Sequence, residues 1–125
     1  MKKALRVTTK GDITEIDLSR DSLTALQEGV GGWVQAIDLT TTMTMWCNEE
    51  GKLEGLPHNP FAQAMWDKAF GAGTDYIVGD VVFTGTPDDE GYTQSVTAED
   101  EQVIRAMVAK THTVVGPAFA VLDWN

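Results

Sequence analysis

The clearest punctuation in this chain is Asn59-Pro60, near its middle. An asparagine side chain can accept from the first free amides of a helix, and proline is preorganised for the first helical position. Behind this pair Phe61, Ala64, Met65, Ala69 and Phe70 recur at helical spacing and Gly71 closes the segment. A helix over residues 60–70 with that stripe turned inward is the prediction. A helix so placed leaves shorter, β-prone runs on both sides, and their order sets the rest of the fold.

Residues 5–9 and 13–18 flank Lys10-Gly11-Asp12 and suggest an opening hairpin. Asp21 or Ser22 can cap a helix carrying Leu23, Leu26 and Val30, which Gly29, Gly31 and Gly32 then end. Residues 33–39 and 42–47 are β-prone, and Asn48-Glu49-Glu50-Gly51 has the chemistry of a type I turn followed by a left-handed glycine. Residues 76–84 form an apolar run in which Gly79 marks a bulge or a close approach of another backbone or ligand. Thr97 starts a third helix, with Glu99, Asp100 and Glu101 at its positive end and Val103, Ile104, Met107 and Val108 facing inward. Residues 113–115 and 119–122, around Gly116-Pro117, read as final strand structure. The order β-β-α-β-β-α-β-α-β with short connections predicts an α+β fold, a mixed, mainly antiparallel sheet with about three helices packed against it. A length of 125 residues fits a single domain.

Nineteen acidic against nine basic side chains give a net charge of −10. Residues 1–20 hold five of the bases against three of the acids, so the acidity lies in the remainder. Such a surface repels phosphate backbones at long range and argues against direct nucleic-acid binding. Cys47 is the sole cysteine, so no internal disulfide forms and a reducing compartment is expected. No apolar run has export or membrane-spanning length, and the expected location is the bacterial cytoplasm with no membrane partner.

Two stretches carry a resemblance. Met45-Trp46-Cys47-Asn48-Glu49-Glu50-Gly51-Lys52-Leu53-Glu54-Gly55-Leu56-Pro57-His58-Asn59 and Ile77-Val78-Gly79-Asp80-Val81-Val82-Phe83-Thr84-Gly85 combine an Asn-Glu-Glu-Gly turn, a Gly-Leu-Pro-x-Asn approach to a helix and an Ile-Val-Gly-Asp run. The chain thereby resembles a family of small uncharacterised domains, of unknown function, common in phages, plasmids and actinobacterial genomes. The resemblance runs from about residue 30 to about residue 100 and implies a mobile-element setting without implying a reaction. Trp46 and Cys47 before the turn, and Asp88-Asp89-Glu90, depart from the family's usual form.

Catalytic signatures are absent from the pattern. His58, His112 and Cys47 are too few and too scattered for a zinc site, and Asp88-Asp89-Glu90-Gly91 lacks the ligand spacing of an EF-hand loop. No serine stands in a nucleophile-elbow context, and Glu49 and Glu50 diverge on their turn. No catalytic residue, metal or cofactor is expected. Binding has better candidates: Trp46 and Asn48 alternate onto one face of a strand, Asn59 heads a helix whose free amides can receive an anion, Lys52 supplies a base, and Gly79 with Asp80 form an opposite wall. The competing reading confines Asn48 and Asn59 to local turn and cap bonds and puts Trp46 in the core.

These observations lead to a non-enzymatic accessory protein that sequesters a small anionic, nucleotide-derived signal used in host defence. The alternative is an acidic inhibitor, or DNA mimic, of a basic host protein, using Asp88-Asp89-Glu90 and Glu99-Asp100-Glu101. Four tryptophans also point to self-association, with an edge strand near residues 119–124 pairing across a two-fold axis.

Overall fold

A computed structural model describes the backbone of residues 2–123 and the side chains of residues 2–114. Its elements are β1 (Lys3–Val7), β2 (Ile13–Asp17), α1 (Ser22–Val30), β3 (Val34–Asp38), β4 (Met43–Asn48), α2 (Pro60–Phe70), β5 (Val81–Gly85) and α3 (Ala98–Asp123). The strands form one sheet in the order β2-β1-β5-β4-β3, antiparallel at every pairing. This is the expected α+β architecture of three helices on an antiparallel sheet.

Both faces of the sheet are covered, which is why the central strand β5 is buried at every position. On one face Leu5, Val7, Met43, Met45, Cys47, Val81 and Phe83 pack against Phe61, Ala62 and Met65 of α2 and Ile104 and Val108 of α3. On the other, Ala4 and Val82 meet Leu26 and Val30 of α1. Gly29 was expected to end α1 but lies inside it. A Cβ there would stand 2.7 Å from Cγ2 of Val82, so only a bare Cα lets α1 settle this close to β5. Gly31, left-handed at φ 77°, is the actual C-cap, and Asp21 is the N-cap through Thr24 N–H.

Asn59 caps α2 as expected, and its role extends well beyond the helix. The residue is 0% exposed. Its Oδ1 accepts from the amides of Phe61 and Ala62 at 3.1 and 3.0 Å, while Nδ2 donates to the carbonyls of Val7 and Gly79 at 3.2 and 2.9 Å. Helix start, strand end and the approach to β5 therefore meet at one buried amide. Further along α2 the predicted stripe fails: Phe61 and Met65 are buried, but Ala69 and Phe70 are exposed because the helix runs past the end of the core it covers.

The strand expected over residues 76–84 begins only at Val81. Before it, residues 57–59 and 77–79 pair locally, Asn59 N–H to Ile77 O at 3.0 Å and Gly79 N–H to Pro57 O at 2.8 Å, with a bridge between His58 and Val78. Gly79 then turns the chain at φ 77° into β5. Gly51 does not take the predicted left-handed conformation. Asn48 closes that turn itself, its carbonyl accepting from Gly51 N–H and its Oδ1 from Glu50 N–H, and the left-handed residue is Gly55.

The final strands predicted at 113–115 and 119–122 lie inside α3. Once Thr97 caps that helix through Asp100 N–H, each further residue adds a ladder bond at little cost, and the β-branched Thr111 and Thr113 satisfy their hydroxyls on Met107 and Ala109 carbonyls one turn back. The edge strand proposed for self-association near 119–124 is replaced by helix through Asp123, and Trp124 lies outside the described residues. An ion pair of Lys3 with Glu101, 2.7 Å, ties the first turn of α3 to β1.

Asn59→Ala removes the cap and leaves two buried carbonyls without a donor, so it is expected to lower unfolding stability by about 3 kcal/mol in urea titration. A loss below about 1 kcal/mol would mean that water replaces the amide, contrary to its burial.

Candidate functional site

Asn48 ends β4 as the shared partition of two clefts. The first, of about 280 Å³, has Gln35 and Ile37 of β3 on one side, Cys47 at its base, Lys52 on the rim, and Asp75 and Tyr76 on the opposite side. The second, of about 330 Å³, runs between Thr9, Gly31, Leu56, Gly79 and Asp80.

The first cleft owes its far wall to α2. Gln63 accepts from Ile77 N–H with Oε1 at 2.8 Å and donates from Nε2 to Asp75 O at 2.8 Å, so the segment carrying Asp75 and Tyr76 is clamped as though by another strand. His58, hydrogen bonded to Gln63 at 3.1 Å, stacks on Tyr76 with ring centroids 4.6 Å apart and planes 9° from parallel. Lys52 Nζ meets Asp75 Oδ1 at 2.5 Å. That contact, followed by the Tyr76 amide, holds the Asp75 carboxyl below the usual carboxylate range.

Cys47 is buried beneath this pair. Burial first, and the nearby Asp75 carboxylate second, push its thiol up to about 11. A protonated thiol is a weak nucleophile at neutral pH. Gln35, Lys52, Asp75 and Tyr76 remain as the groups a ligand can meet, an amide, an ion pair and an aromatic ring.

The six residues selected from sequence do not converge. Asn48, Gly79 and Asp80 come together at the second cleft, and Lys52 belongs to the first. Trp46 shares its sheet face with Asn48 as expected, yet it packs toward α1 and donates from Nε1 to Thr84 Oγ1 at 2.8 Å, lining neither cleft. Asn59 lies buried below, and the helix amides expected to receive an anion already bond its own Oδ1. Asp80 is equally occupied, accepting from Arg6 Nη2 at 2.5 Å and from Thr9 N–H at 3.1 Å, while Arg6 Nε reaches Gly29 O. Gln35, Asp75 and Tyr76 line the first cleft although they are not among those six. Gln35 carried a readable signal, a polar side chain within a β-prone run; Tyr76 and Asp75 had none, because only the local pairing of 57–59 with 77–79 brings them opposite β3.

Half of the six carboxylates in the two acidic clusters are engaged within the fold. Asp88 closes its own turn by accepting from the amides of Glu90 and Tyr92, Asp100 accepts from Thr42 Oγ1, and Glu101 pairs with Lys3 and Arg105. Among the described residues no three His, Cys, Asp or Glu side chains are placed to hold a metal ion, and no helix is long and apolar enough to cross a membrane.

Comparison with known families gives one match: the chain belongs to the family described as Domain of unknown function (DUF3846), whose model matches residues 1–109. The match spans all five strands, α1, α2 and the first half of α3. No curated protein and no solved structure matches.

Two outcomes follow for the first cleft. Cys47 is expected to resist a disulfide reagent at pH 8 in the native protein and to react at once in denaturant; rapid native labelling would contradict its burial and raised pKa. Asp75, whose carboxyl is depressed in the fold, contributes stability above the ordinary carboxylate range that is lost as pH falls through its native value. For this exposed pair the contribution is about 0.5 kcal/mol, so Asp75→Asn should lower stability by that much at pH 7 and by less in acid, as followed by urea titration at each pH.

Proposed function

We propose that this member of the family acts by binding rather than by catalysis, and that it sequesters a small nucleotide-derived molecule in the cleft between β3, β4 and segment 75–78. The observation that carries the reading is Tyr76, 54% exposed, whose ring is braced by His58 on the cleft wall that faces Gln35. A base stacks on a braced aromatic ring at little entropic cost, and an amide and a carboxylate beside it can read the hydrogen-bonding edge of that base. Stacking of this kind is worth about 1–3 kcal/mol per base.

Local charge narrows the ligand further. Among the described residues Lys52 is the one cation lining the cleft, against Glu49 and Asp75. A polyphosphate would meet net repulsion there, whereas a nucleoside, or a nucleotide with one phosphate directed at Lys52, would not. A cleft of about 280 Å³ is also at the small end of ligand sites, in keeping with a single base and sugar. In the mobile-element setting implied by the resemblance, withdrawing such a molecule from solution is a counter-defence action, carried out in the cytoplasm of the bacterial host where an unpaired Cys47 is at home.

Heating the purified protein and analysing the released material by mass spectrometry is expected to yield a nucleoside- or nucleotide-like species, and a panel of such compounds should include one that raises the melting temperature. Tyr76→Ala and Gln35→Ala should each weaken that compound's binding by about tenfold or more. Release of no such species together with no shift across the panel would overturn the proposal.

A further inference from the structure

The two edges of the sheet differ in what they offer a second strand. Glu49 N–H bonds Trp33 O at 2.8 Å and Leu39 N–H bonds Met43 O at 3.0 Å, so the odd residues from 33 to 39 face β4 with their backbone groups. Val34, Ala36 and Asp38 therefore direct N–H and C=O to the free edge. At the opposite edge, Leu18 N–H to Lys2 O and Thr8 N–H to Asp12 O leave Ile13, Glu15 and Asp17 outward, with Glu15 in the middle. Self-pairing of β2 would set Glu15 and the Lys3 that pairs with it at 3.0 Å against their own copies, a crowding of long charged side chains that protects an edge. The centre of β3 is the small, exposed Ala36, and the one acid of the strand, Asp38, lies at its end with its carboxylate held by Thr44 Oγ1.

Two further features share the face of β3 that carries Gln35 and Ile37. At one end Trp33 is 68% exposed. At the other, Leu39 forms part of a mainly apolar cleft of about 240 Å³ with Met43, Met65, Ala69 and Val103, rimmed by Thr40, Lys68 and Asp100, the last with its carboxylate taken up by Thr42 Oγ1. An antiparallel two-fold pairing centred on Ala36 sets Val34 opposite Asp38, Gln35 opposite Ile37 and Trp33 opposite Leu39. Each indole then stands over the partner's apolar cleft, and the same step brings Glu49, the ladder neighbour of Trp33, toward the partner's Lys68. Neither Glu49 nor Lys68 has an ion pair within the chain among the described residues. Projection, cleft and complementary charges thus recur symmetrically, which is what an isologous interface requires.

We infer that this chain forms a two-fold dimer through β3, with Trp33 of each copy seated in the apolar cleft beside Leu39 of the other and Glu49 facing Lys68. The interface joins two sheets into one of ten strands. Because each copy carries a net charge of −10, repulsion between the bodies opposes an attraction that is mainly backbone pairing and apolar burial. Salt screens the repulsion more than it weakens the interface.

Sedimentation equilibrium across the micromolar range is expected to give the mass of two chains, with the association tightening as salt is raised. Trp33→Ala should weaken the dimer by about tenfold or more. Ala36→Glu, which places like charges opposite each other on the two-fold axis, should yield a monomer with an unchanged circular dichroism spectrum and a urea midpoint that, unlike the wild type's, does not rise with protein concentration. Ala36→Cys should cross-link the dimer under mild oxidation, since paired residues at this position lie within disulfide reach. A monomer at every concentration and salt, a dimer untouched by Trp33→Ala and Ala36→Glu, or an association that weakens with salt would each overturn the inference.

Discussion

The position of nearly every functional group in this protein depends on the four hydrogen bonds of the Asn59 side chain. An amide with two donors and two acceptor lone pairs is fully used here, by two helix amides and two carbonyls from segments 52 and 20 residues away in sequence. Burying a polar group is costly unless every bond it loses to water is replaced, and at Asn59 all are. The arrangement sets the axis of α2 relative to the end of β1, and one turn later Gln63 fixes the segment that bears Asp75 and Tyr76. The cleft wall is thus placed by a chain of backbone contacts that starts at a residue no ligand can touch. Satisfying the helix amides internally also removes the anion site that a helix N-terminus would otherwise provide.

The sheet's unequal covering follows from the lengths of its helices. α2 and α3 bury the middle of one face, whereas nine-residue α1 lies across the other, touching Ile16 of β2 and Val34 of β3 at its flanks and settling close on β5 because Gly29 has no side chain to hold it off Val82. The outer strands β2 and β3 are only half-covered, each with two partly buried positions, Ile13 and Ile16 or Val34 and Ile37, and the other three exposed. One edge carries an acid, Glu15, at its centre and the other carries Ala36, a difference in composition that matters most for what can pair with each.

Much of this is legible in the sequence. The Asn59-Pro60 start, the hairpin around Gly11 and the helix starts at Asp21 or Ser22 and at Thr97 rest on local chemistry and stand where expected, with Asp21 the residue that caps, because a cap or a tight turn is decided within a few residues. Errors appeared wherever a local preference competed with a neighbouring element. The β-prone residues after position 112 were absorbed by propagation of α3, Gly51 ceded the left-handed position to Gly55 once Asn48 closed the turn, and Ala69 and Phe70 kept helical spacing beyond the core they were expected to enter. The site suffered most. Trp46 and Asn48 were correctly put on one face, yet the ligand-accessible groups Gln35 and Tyr76 face each other only through pairing of 57–59 with 77–79, a contact that no periodicity in either segment announces.

The two clefts beside Asn48 differ in how readily they can give up their internal bonds, and this favours the first as the proposed binding site and marks the second as a structural seam. In the second, Asp80 and Arg6 are 29% and 32% exposed, and each has an additional backbone partner, Thr9 N–H and Gly29 O, that joins three elements. A ligand competing for Asp80 would strand a half-buried guanidinium and loosen β1 from α1, a cost of several kilocalories that a small molecule could not easily recover. In the first, Lys52 and Asp75 are 59% and 36% exposed and form a pair of the kind that contributes little to stability. Its partners can turn toward a ligand at almost no cost to the fold, while the Tyr76 ring behind them stays fixed by His58 and Gln63. A rigid aromatic wall with a loosely held ion pair in front of it combines preorganised shape with adaptable charge, and the rigid Arg6–Asp80 seam next to it keeps that combination in place.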